Sequence, residues 1–340
     1  MTVTVRSFAK INLGLRIGPA RADGFHELLT VYQTIGLHDV IRVSVSRGVG
    51  VEIRCTDPRV PRDESNTCFR IAERVMRALG AKGRVVVEIE KHLPVQGGLG
   101  GASSNAVTTL LGLERALKKT LPAADRLQIA AEVGSDVPLF LVGGTVLGVG
   151  RGEQVYPLPD WPATGCVVLT PEVGVSTPKA FAAWDRLVSC GAGEGDRPRI
   201  NAGGPTAKLT ASAPSDRMVE LGRGLSAWLS GLFSGAPSDS TGRGRAENPL
   251  LWLVRAGIEN DFEQVVFPEY PELRDRKSAL MRAGAKYASL SGSGSALYGL
   301  FASREAAARA ATRLRKQGWA AQATATLPRR VYWRRLTAGS

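Results

Sequence analysis

The stretch HLPVQGGLGGASSNAV, residues 92–107, places four glycines beside two serines and leads into an apolar-periodic segment. The pattern predicts a glycine-rich turn followed by a helix. Glycines let backbone N–H groups converge, and a helix start adds partial positive charge, so the turn suits a phosphate. It is not a P-loop, because Ala102 and Ser103 occupy the positions of the P-loop Lys and Ser/Thr. On these residues alone, the stretch is either a phosphate site or a tight strand-to-helix turn.

The composition is that of an ordinary globular chain. Its 340 residues, 44% hydrophobic and 22% charged, suit two domains. The N-terminal residues lack the pattern of a signal peptide, and the longest apolar window, residues 137–150, is too short and glycine-rich to span a bilayer. We therefore expect a cytoplasmic protein without a membrane partner. The four cysteines show no zinc-like spacing and are expected to be buried apolar side chains.

Basic residues outnumber acidic ones by 44 to 31, which gives a net charge of +13. Such a balance suits nucleic acid, a membrane surface or an anionic small substrate. The charge is scattered, and only the tail, residues 315–336, is dense in arginine. Its arginines alternate with apolar residues over 330–336, which predicts a closing edge strand with a solvated face.

The order of predicted elements restarts near Cys166, which favours a first domain over residues 1–160 and a second over 161–340. Within the second domain, residues 189–246 are rich in Gly, Pro, Ser, Ala and Arg without periodicity. We expect this region to be loop-rich and unusually long.

Three local predictions concern the first domain. The N-terminal apolar segment predicts a strand pair, or one strand with a bend at residues 9–12. Residues 40–55 alternate in two runs around glycines, which predicts a hairpin. A helix follows, with Ser65 or Asn66 as its N-cap.

Two charged residues stand in apolar segments. Asp136, in GSDVPLF, is either a turn or helix cap or a carboxylate that needs a partner. Lys10 is a lone lysine in an apolar strand, and most such lysines reach solvent. Paired with Asp136, it would stabilise the carboxylate charge and meet a transferring phosphoryl group. A second glycine turn, residues 289–299, is either a hairpin or bulge or a second wall of a nucleotide cleft.

Three stretches in this order resemble the GHMP kinase superfamily: AKINLGL at 9–15, LPVQGGLGGASSNA at 93–106 and LSGSGSALYG at 290–299. The resemblance implies an α+β, two-domain GHMP kinase fold, with a ribosomal-protein-S5-like N-terminal domain and a ferredoxin-like C-terminal domain. ATP and a small-molecule substrate would lie in the cleft between the domains.

Further motifs are similar to one branch of the superfamily, namely DGFHEL, GSDVPLFL, GRGE, VSTPKAF and ENDFE. This branch uses ATP with Mg²⁺ to phosphorylate the 2-hydroxyl of a cytidyl-diphosphate sugar alcohol in the non-mevalonate isoprenoid pathway. The resemblance implies that Asp136 is the catalytic base and that Lys10 lies beside it. It assigns no metal ligand firmly.

The remaining site residues are also implied by the resemblance. Phe25 and Phe181 would sandwich the cytosine, His26 would hydrogen-bond the edge of the base, and Asn12 would help to hold the substrate. Thr177 completes this substrate set. The ATP-binding set lies on the glycine loop and near it: Pro94, Gly97, Gly98, Leu99, Gly100, Gly101, Ser103, Ser104, Asn66 and Lys91.

The chain departs from the family pattern at three places. Gln96 stands where a small residue is expected, Phe25 replaces the commoner tyrosine, and residues 189–246 form a longer region than usual. Two alternatives remain open: a homoserine or mevalonate type of acceptor, or a basic nucleic-acid-binding protein on an S5-like scaffold. We expect no nucleic-acid partner and a monomer or weak homodimer.

Overall fold

A computed structural model of the chain describes residues 2–191, 218–226, 229 and 258–337. The described strands are β1 (Thr2–Ala20), β2 (His26–Ser46), β3 (Val51–Cys55), β4 (Arg84–Glu90), β5 (Thr145–Val149), β6 (Gln154–Pro157), β7 (Gly165–Leu169), β8 (Tyr287–Leu290), β9 (Leu297–Phe301) and β10 (Ala321–Ala325). The described helices are α1 (Thr67–Ala78), α2 (Gly101–Leu117), α3 (Ala123–Val133), α4 (Leu139–Val142), α5 (Thr177–Gly191), α6 (218–226), α7 (Glu263–Glu269), α8 (Pro271–Arg282), α9 (Arg304–Lys316) and α10 (Arg329–Thr337).

The first sheet has the order β3-β4-β2-β5-β6, and β1 pairs with β2. The β1–β2 register shifts between Phe8 and Lys10 and again between Asn12 and Gly14. These irregularities confirm the predicted bend in a single strand. Because a bulge re-aims the side chains beside it, the bend changes the direction in which Lys10 and Asn12 project.

The predicted hairpin over residues 40–55 is wrong. Strand β4 lies between β2 and β3 and pairs antiparallel with β2 and parallel with β3. Val85, Val87 and Ile89 of β4 are buried, so this strand lies inside the sheet rather than at its edge. Alternation in the sequence predicted the strands correctly but did not specify their neighbours.

Helices α1 and α2 pack beside this sheet in one apolar cluster with β2 and β4. The predicted cap of α1 is confirmed at Asn66, whose side-chain oxygen accepts a hydrogen bond from the N–H of Cys68 at 2.8 Å. Helix α2 approaches β2 closely, because a Cβ at Gly112 would lie only 2.7 Å from Val43 Cγ2. This close packing fixes the position of the helix that follows the glycine loop.

The second sheet has the order β10-β7-β9-β8 and is antiparallel throughout. Its core includes residues of α5, α7, α8 and α9. The prediction of buried, unpaired cysteines is confirmed for Cys55, Cys68 and Cys166, while the side chain of Cys190 lies outside the described part.

The predicted closing strand over residues 330–336 is wrong, because this segment belongs to helix α10. Tyr332 and Leu336 are four residues apart and buried in the core of the first sheet. The Tyr332 hydroxyl donates to the carbonyl of Phe140 at 2.7 Å. Helical spacing thus places two buried side chains on one face and leaves Arg334 and Arg335 exposed.

The division into domains at residue 160 stays a prediction. The two sheets are joined by residues 158–164, but α10, from the end of the chain, packs on the first sheet. Most of the predicted loop-rich region 189–246 lies outside the described residues. Among the described residues, none of the helices is long and apolar enough to cross a membrane.

Helix α10 should contribute to the stability of the first sheet. Leu336→Ala removes a fully buried side chain, and we expect it to lower the free energy of unfolding by about 2–5 kcal/mol. Leu127→Ala, on the exposed face of α3, is the matched control and should change it by no more than about 0.5 kcal/mol. Urea denaturation measures both, and equal effects of the two substitutions would contradict the docking of α10.

Candidate active site

Two adjoining cavities form one cleft. The larger, about 700 Å³, lies among β1, β2, α5 and the second glycine turn, and the smaller, about 350 Å³, lies beside the N-terminus of α1. Gly98, Gly100 and Ser103 line both cavities. The glycine loop is therefore the wall that the two cavities share, and a ligand bound in one can reach the other across it.

The glycine loop is held by hydrogen bonds from two directions. The N–H of Lys10 donates to the carbonyl of Leu99 at 2.9 Å, which ties the loop to β1. From the second glycine turn, the hydroxyl of Ser291 donates to the Gly98 carbonyl at 3.0 Å. A Cβ at Gly98 would lie 2.1 Å from the Ser291 carbonyl, so a side chain there would clash with that turn. The two glycine turns predicted from the sequence thus meet.

The unexpected glutamine lies in a left-handed part of this loop. Gly98 and Gly100 have φ of 79° and 69°, and Gln96 has φ of 59°. A non-glycine residue seldom adopts a positive φ of this kind. Gln96 does so, and its side chain is exposed. A glycine would adopt this backbone conformation without strain.

A charged cluster lies in the larger cavity beside the loop. The Lys10 ammonium is 3.3 Å from Asp136 Oδ2 and donates to Asn12 Oδ1 at 2.7 Å. The Tyr32 hydroxyl donates to Asp136 Oδ1 at 2.9 Å. The Lys10 side chain is only 3% exposed, whereas that of Asp136 is 35% exposed, so the carboxylate is accessible from the cleft. The structure brings Lys10, Asn12 and Asp136 together.

Tyr32 remains a hydrogen-bond donor. Burial raises the pKa of Tyr32 well above its usual value, and the neighbouring charge of Asp136 raises it further. The phenol therefore stays protonated over the whole physiological range. It fixes one oxygen of the Asp136 carboxylate while the other faces Lys10.

An aromatic group lines the far end of the larger cavity. His26 and Phe181 stack with their ring centroids 4.9 Å apart at an interplanar angle of 15°. His26 Nε2 lies 2.6 Å from Asp185 Oδ1. The Arg151 guanidinium carbon lies 4.9 Å from the centroid of the Phe25 ring, which is half exposed. The predicted substrate residues Asn12, Phe25, His26, Phe181 and Thr177 all line this cavity.

Most of the predicted ATP-binding residues line the smaller cavity: Asn66, Lys91, Pro94, Gly97, Gly98, Leu99, Gly100, Gly101 and Ser103. Ser104 is the exception, and we revise the expectation for it. Its side chain is buried, and its hydroxyl forms a hydrogen bond with the Ser7 hydroxyl at 2.8 Å. Its N–H bonds to the Gly100 carbonyl within the first turn of α2. Ser104 therefore offers no donor to the cleft.

The site has no preformed metal cage in the part of the chain that the structure describes, where His, Cys, Asp and Glu form no cluster of three or more suited to a metal ion. Of the three residues that line both cavities, Ser103 is the one with a side-chain oxygen.

Sequence reasoning missed three polar residues of the cleft, Tyr32, Arg151 and Asp185, and the buried Asp39 outside it. Tyr32 lies opposite Asn12 in the β1–β2 register, which only the strand pairing reveals. Arg151 belongs to the GRGE motif, so that motif was an available signal. Asp185 lies one helical turn beyond Phe181, a spacing that places both on one face of α5.

Comparison with known proteins was consistent across sequence and structure. The GHMP kinases N terminal domain family matches residues 66–144, and the GHMP kinases C terminal family matches residues 250–319. The 4-diphosphocytidyl-2-C-methyl-D-erythritol kinase of Solibacter usitatus (strain Ellin6076) is 38% identical over 306 residues, which cover 90% of this chain and 83% of that protein. The kinase of the same name from Rhodococcus jostii (strain RHA1) is 34% identical over 93% of this chain and 89% of its own length.

Solved structures give the same result for the fold. A crystal structure of 4-(cytidine 5'-diphospho)-2C-methyl-D-erythritol kinase superposes with a TM-score of 0.68 at 27% identity, covering 95% of this chain and 99% of the other. A homoserine kinase from Cytophaga hutchinsonii ATCC 33406 has the same TM-score at 20% identity, covers 96% of this chain and 95% of its own, and shows the fold alone. The predicted GHMP kinase fold is confirmed. The chain therefore belongs to the 4-diphosphocytidyl-2-C-methyl-D-erythritol kinase family, whose members are ATP-dependent small-molecule kinases of the GHMP superfamily.

Proposed function

We propose that this chain transfers the γ-phosphoryl group of ATP to the 2-hydroxyl of 4-diphosphocytidyl-2-C-methyl-D-erythritol, a step of the non-mevalonate isoprenoid pathway. The observation that carries the proposal is the position of the Lys10–Asp136 pair, which lies in the larger cavity beside the glycine loop that both cavities share. A phosphoryl donor on the loop and an acceptor in the larger cavity would meet at this pair.

The nucleotide would occupy the smaller cavity, with its phosphates at the loop. Backbone N–H groups around Gly98 and Gly100, together with the start of α2, would bind the phosphate oxygens without a P-loop lysine. The predicted residues near the adenine and phosphates, Asn66 and Lys91, line the same cavity. Both side chains also have protein partners, because Asn66 caps α1 and Lys91 pairs with Asp39.

Asp136 would accept the proton of the substrate hydroxyl as that oxygen attacks phosphorus. Its carboxylate is partly exposed to the cavity and is oriented by the Tyr32 hydroxyl, so it can accept a hydrogen bond from a bound alcohol. Lys10 would compensate the charge that develops on the transferring group, and its hydrogen bond to Asn12 fixes its ammonium. Catalysis would consist largely of positioning and charge compensation.

Mg²⁺ is the expected companion of ATP. Bound through phosphate oxygens, it would neutralise phosphate charge during transfer. On the protein side we propose only the Ser103 hydroxyl as a ligand, because Ser103 lines both cavities.

The acceptor's cytosine would lie in the aromatic end of the larger cavity. Phe25 and Phe181 both line it, and His26 and Asp185 supply polar atoms beside them. Because base stacking on aromatic rings contributes about 1–3 kcal/mol per base, two rings would account for selection of a nucleotide-linked acceptor. This end of the cavity favours the cytidyl acceptor over homoserine or mevalonate, which have no base.

Asp136→Asn should lower kcat about 100- to 10,000-fold, because an amide cannot accept the hydroxyl proton. The KM values for ATP and acceptor should change little, since the substituted side chain is isosteric. ADP formation measured with ATP, Mg²⁺ and the cytidyl acceptor tests this.

Asp125→Asn, on exposed helix α3, is the control for Asp136→Asn and should keep full activity. An Asp136→Asn enzyme with a normal kcat would rule out Asp136 as the base. If wild-type protein phosphorylates homoserine or mevalonate but not the cytidyl acceptor, the proposed substrate is wrong.

Loss of either aromatic ring should weaken acceptor binding selectively. Phe25→Ala should raise the KM for the cytidyl acceptor about 5- to 150-fold, which corresponds to the stacking contribution of one ring, and should leave the KM for ATP unchanged. Phe181→Leu keeps apolar contact with Phe262 while removing the stacking face, and should act in the same direction. Steady-state kinetics in both substrates measure the effect. Unchanged acceptor KM in both variants would refute the sandwich.

A further inference from the structure

The glycine loop has a buried anchor that lies outside the cleft. Asp39, on β2, is fully buried and accepts four hydrogen bonds. Oδ1 accepts from the backbone N–H groups of His92 and Leu93, both at 2.7 Å. Oδ2 accepts from Lys91 Nζ at 2.6 Å and from Asn105 Nδ2 at 3.0 Å. One carboxylate thus binds residues on both sides of the glycine loop.

These contacts join the two ends of the loop. Residues 91–93 are its entry from β4, and Asn105 lies in the first turns of α2, after its exit. Asn105 is itself held by the hydroxyl of Ser7, which donates to its Oδ1 at 2.6 Å. Ser7 faces Asp39 in the β1–β2 register, so the anchor is part of the sheet.

We propose that Asp39 is a positioning residue for nucleotide binding: its carboxylate fixes the spacing between the entry and exit of the glycine loop and thereby aims the loop's N–H groups at the phosphates. The inference rests on the proposed nucleotide site at this loop. It also changes the role of Lys91, whose ammonium balances the Asp39 charge instead of serving chiefly as a phosphate ligand.

The geometry makes a carboxylate specifically necessary. All four partners of Asp39 are donors, so both of its oxygens must accept. An asparagine would offer one oxygen and one NH₂ group. Whichever way it turned, the NH₂ group would face either the two backbone N–H groups or the Lys91 ammonium and Asn105 amide. Asp39→Asn can therefore keep either the two backbone contacts at the loop entry or the contacts with Lys91 and Asn105, but not all four, and it leaves buried donors without acceptors.

The loss of the Asp39 carboxylate should affect ATP binding more than acceptor binding. Displacement of catalytic or binding groups by about 1 Å can change rates about a hundredfold. We expect Asp39→Asn to raise the Kd for a non-hydrolysable ATP analogue with Mg²⁺ by about tenfold or more, because the loop N–H groups no longer converge. The KM for the acceptor should change less than about twofold, since the larger cavity keeps its own contacts.

Glu114→Gln is the matched control. Glu114 is also a buried carboxylate on α2, and it accepts from the N–H of Leu121 and from Arg126, but at the far end of the helix from the loop. The Glu114→Gln variant should be less stable than the wild type but should have the same Kd for the analogue. If Asp39→Asn does not yield folded protein, Asn105→Ala, which removes the exit contact of Asp39 together with the hydrogen bond from Ser7, should raise that Kd about threefold or more.

Isothermal calorimetry with the analogue, without acceptor, is the test. A normal Kd in Asp39→Asn, or equal Kd increases in Asp39→Asn and Glu114→Gln, would overturn the proposal. If Asn105→Ala is used in place of Asp39→Asn, a normal Kd in that variant would also overturn the proposal. Because no acceptor is present, a protein that binds ATP in this manner but does not phosphorylate the cytidyl acceptor would refute the proposed function and leave this inference standing.

Discussion

The hydrogen bond from the Lys10 N–H to the Leu99 carbonyl joins strand β1 to the glycine loop, and the arrangement of the cleft depends on it. Through this bond the bend in β1 sets the Lys10 ammonium beside the loop, where Asp136 and Asn12 fix it. The second glycine turn binds the loop from the opposite side through Ser291. The proposed phosphate site and the charged pair, distant in sequence, therefore share one wall of the cleft.

The charges around the cleft show why net charge predicts little about this site. The larger cavity is lined by two cations, Lys10 and Arg151, and two aspartates, Asp136 and Asp185. In the smaller cavity Lys91 is paired with Asp39, and the hydrogen bonds of Arg59 lower the pKa of Asp57 to about 2. Anion binding at the proposed site would thus rely on backbone N–H groups and the start of α2 more than on surplus cations. The chain's +13 charge needs another explanation.

What the sequence predicted depended on local patterns with a fixed geometry. Glycine turns, the Asn66 cap and the charged residues of apolar segments were identified because each is decided within a few residues. The sequence did not reveal the position of β4, the helical state of α10 or the contacts of Tyr32 and Asp39. Each of these depends on pairing between distant segments. Arg334 and Arg335 obscured the apolar spacing of α10, and only its docking on the first sheet decided its structure.

The most direct measurement is a crystal structure of the protein with a non-hydrolysable ATP analogue, Mg²⁺ and 4-diphosphocytidyl-2-C-methyl-D-erythritol. The account predicts phosphates against the loop around Gly98 and Gly100. It places the acceptor's 2-hydroxyl oxygen about 2.6–3.2 Å from an Asp136 oxygen and about 3–3.5 Å from the γ-phosphorus. Phosphates bound away from the loop, or a hydroxyl more than about 5 Å from Asp136, beyond hydrogen-bond reach, would contradict it.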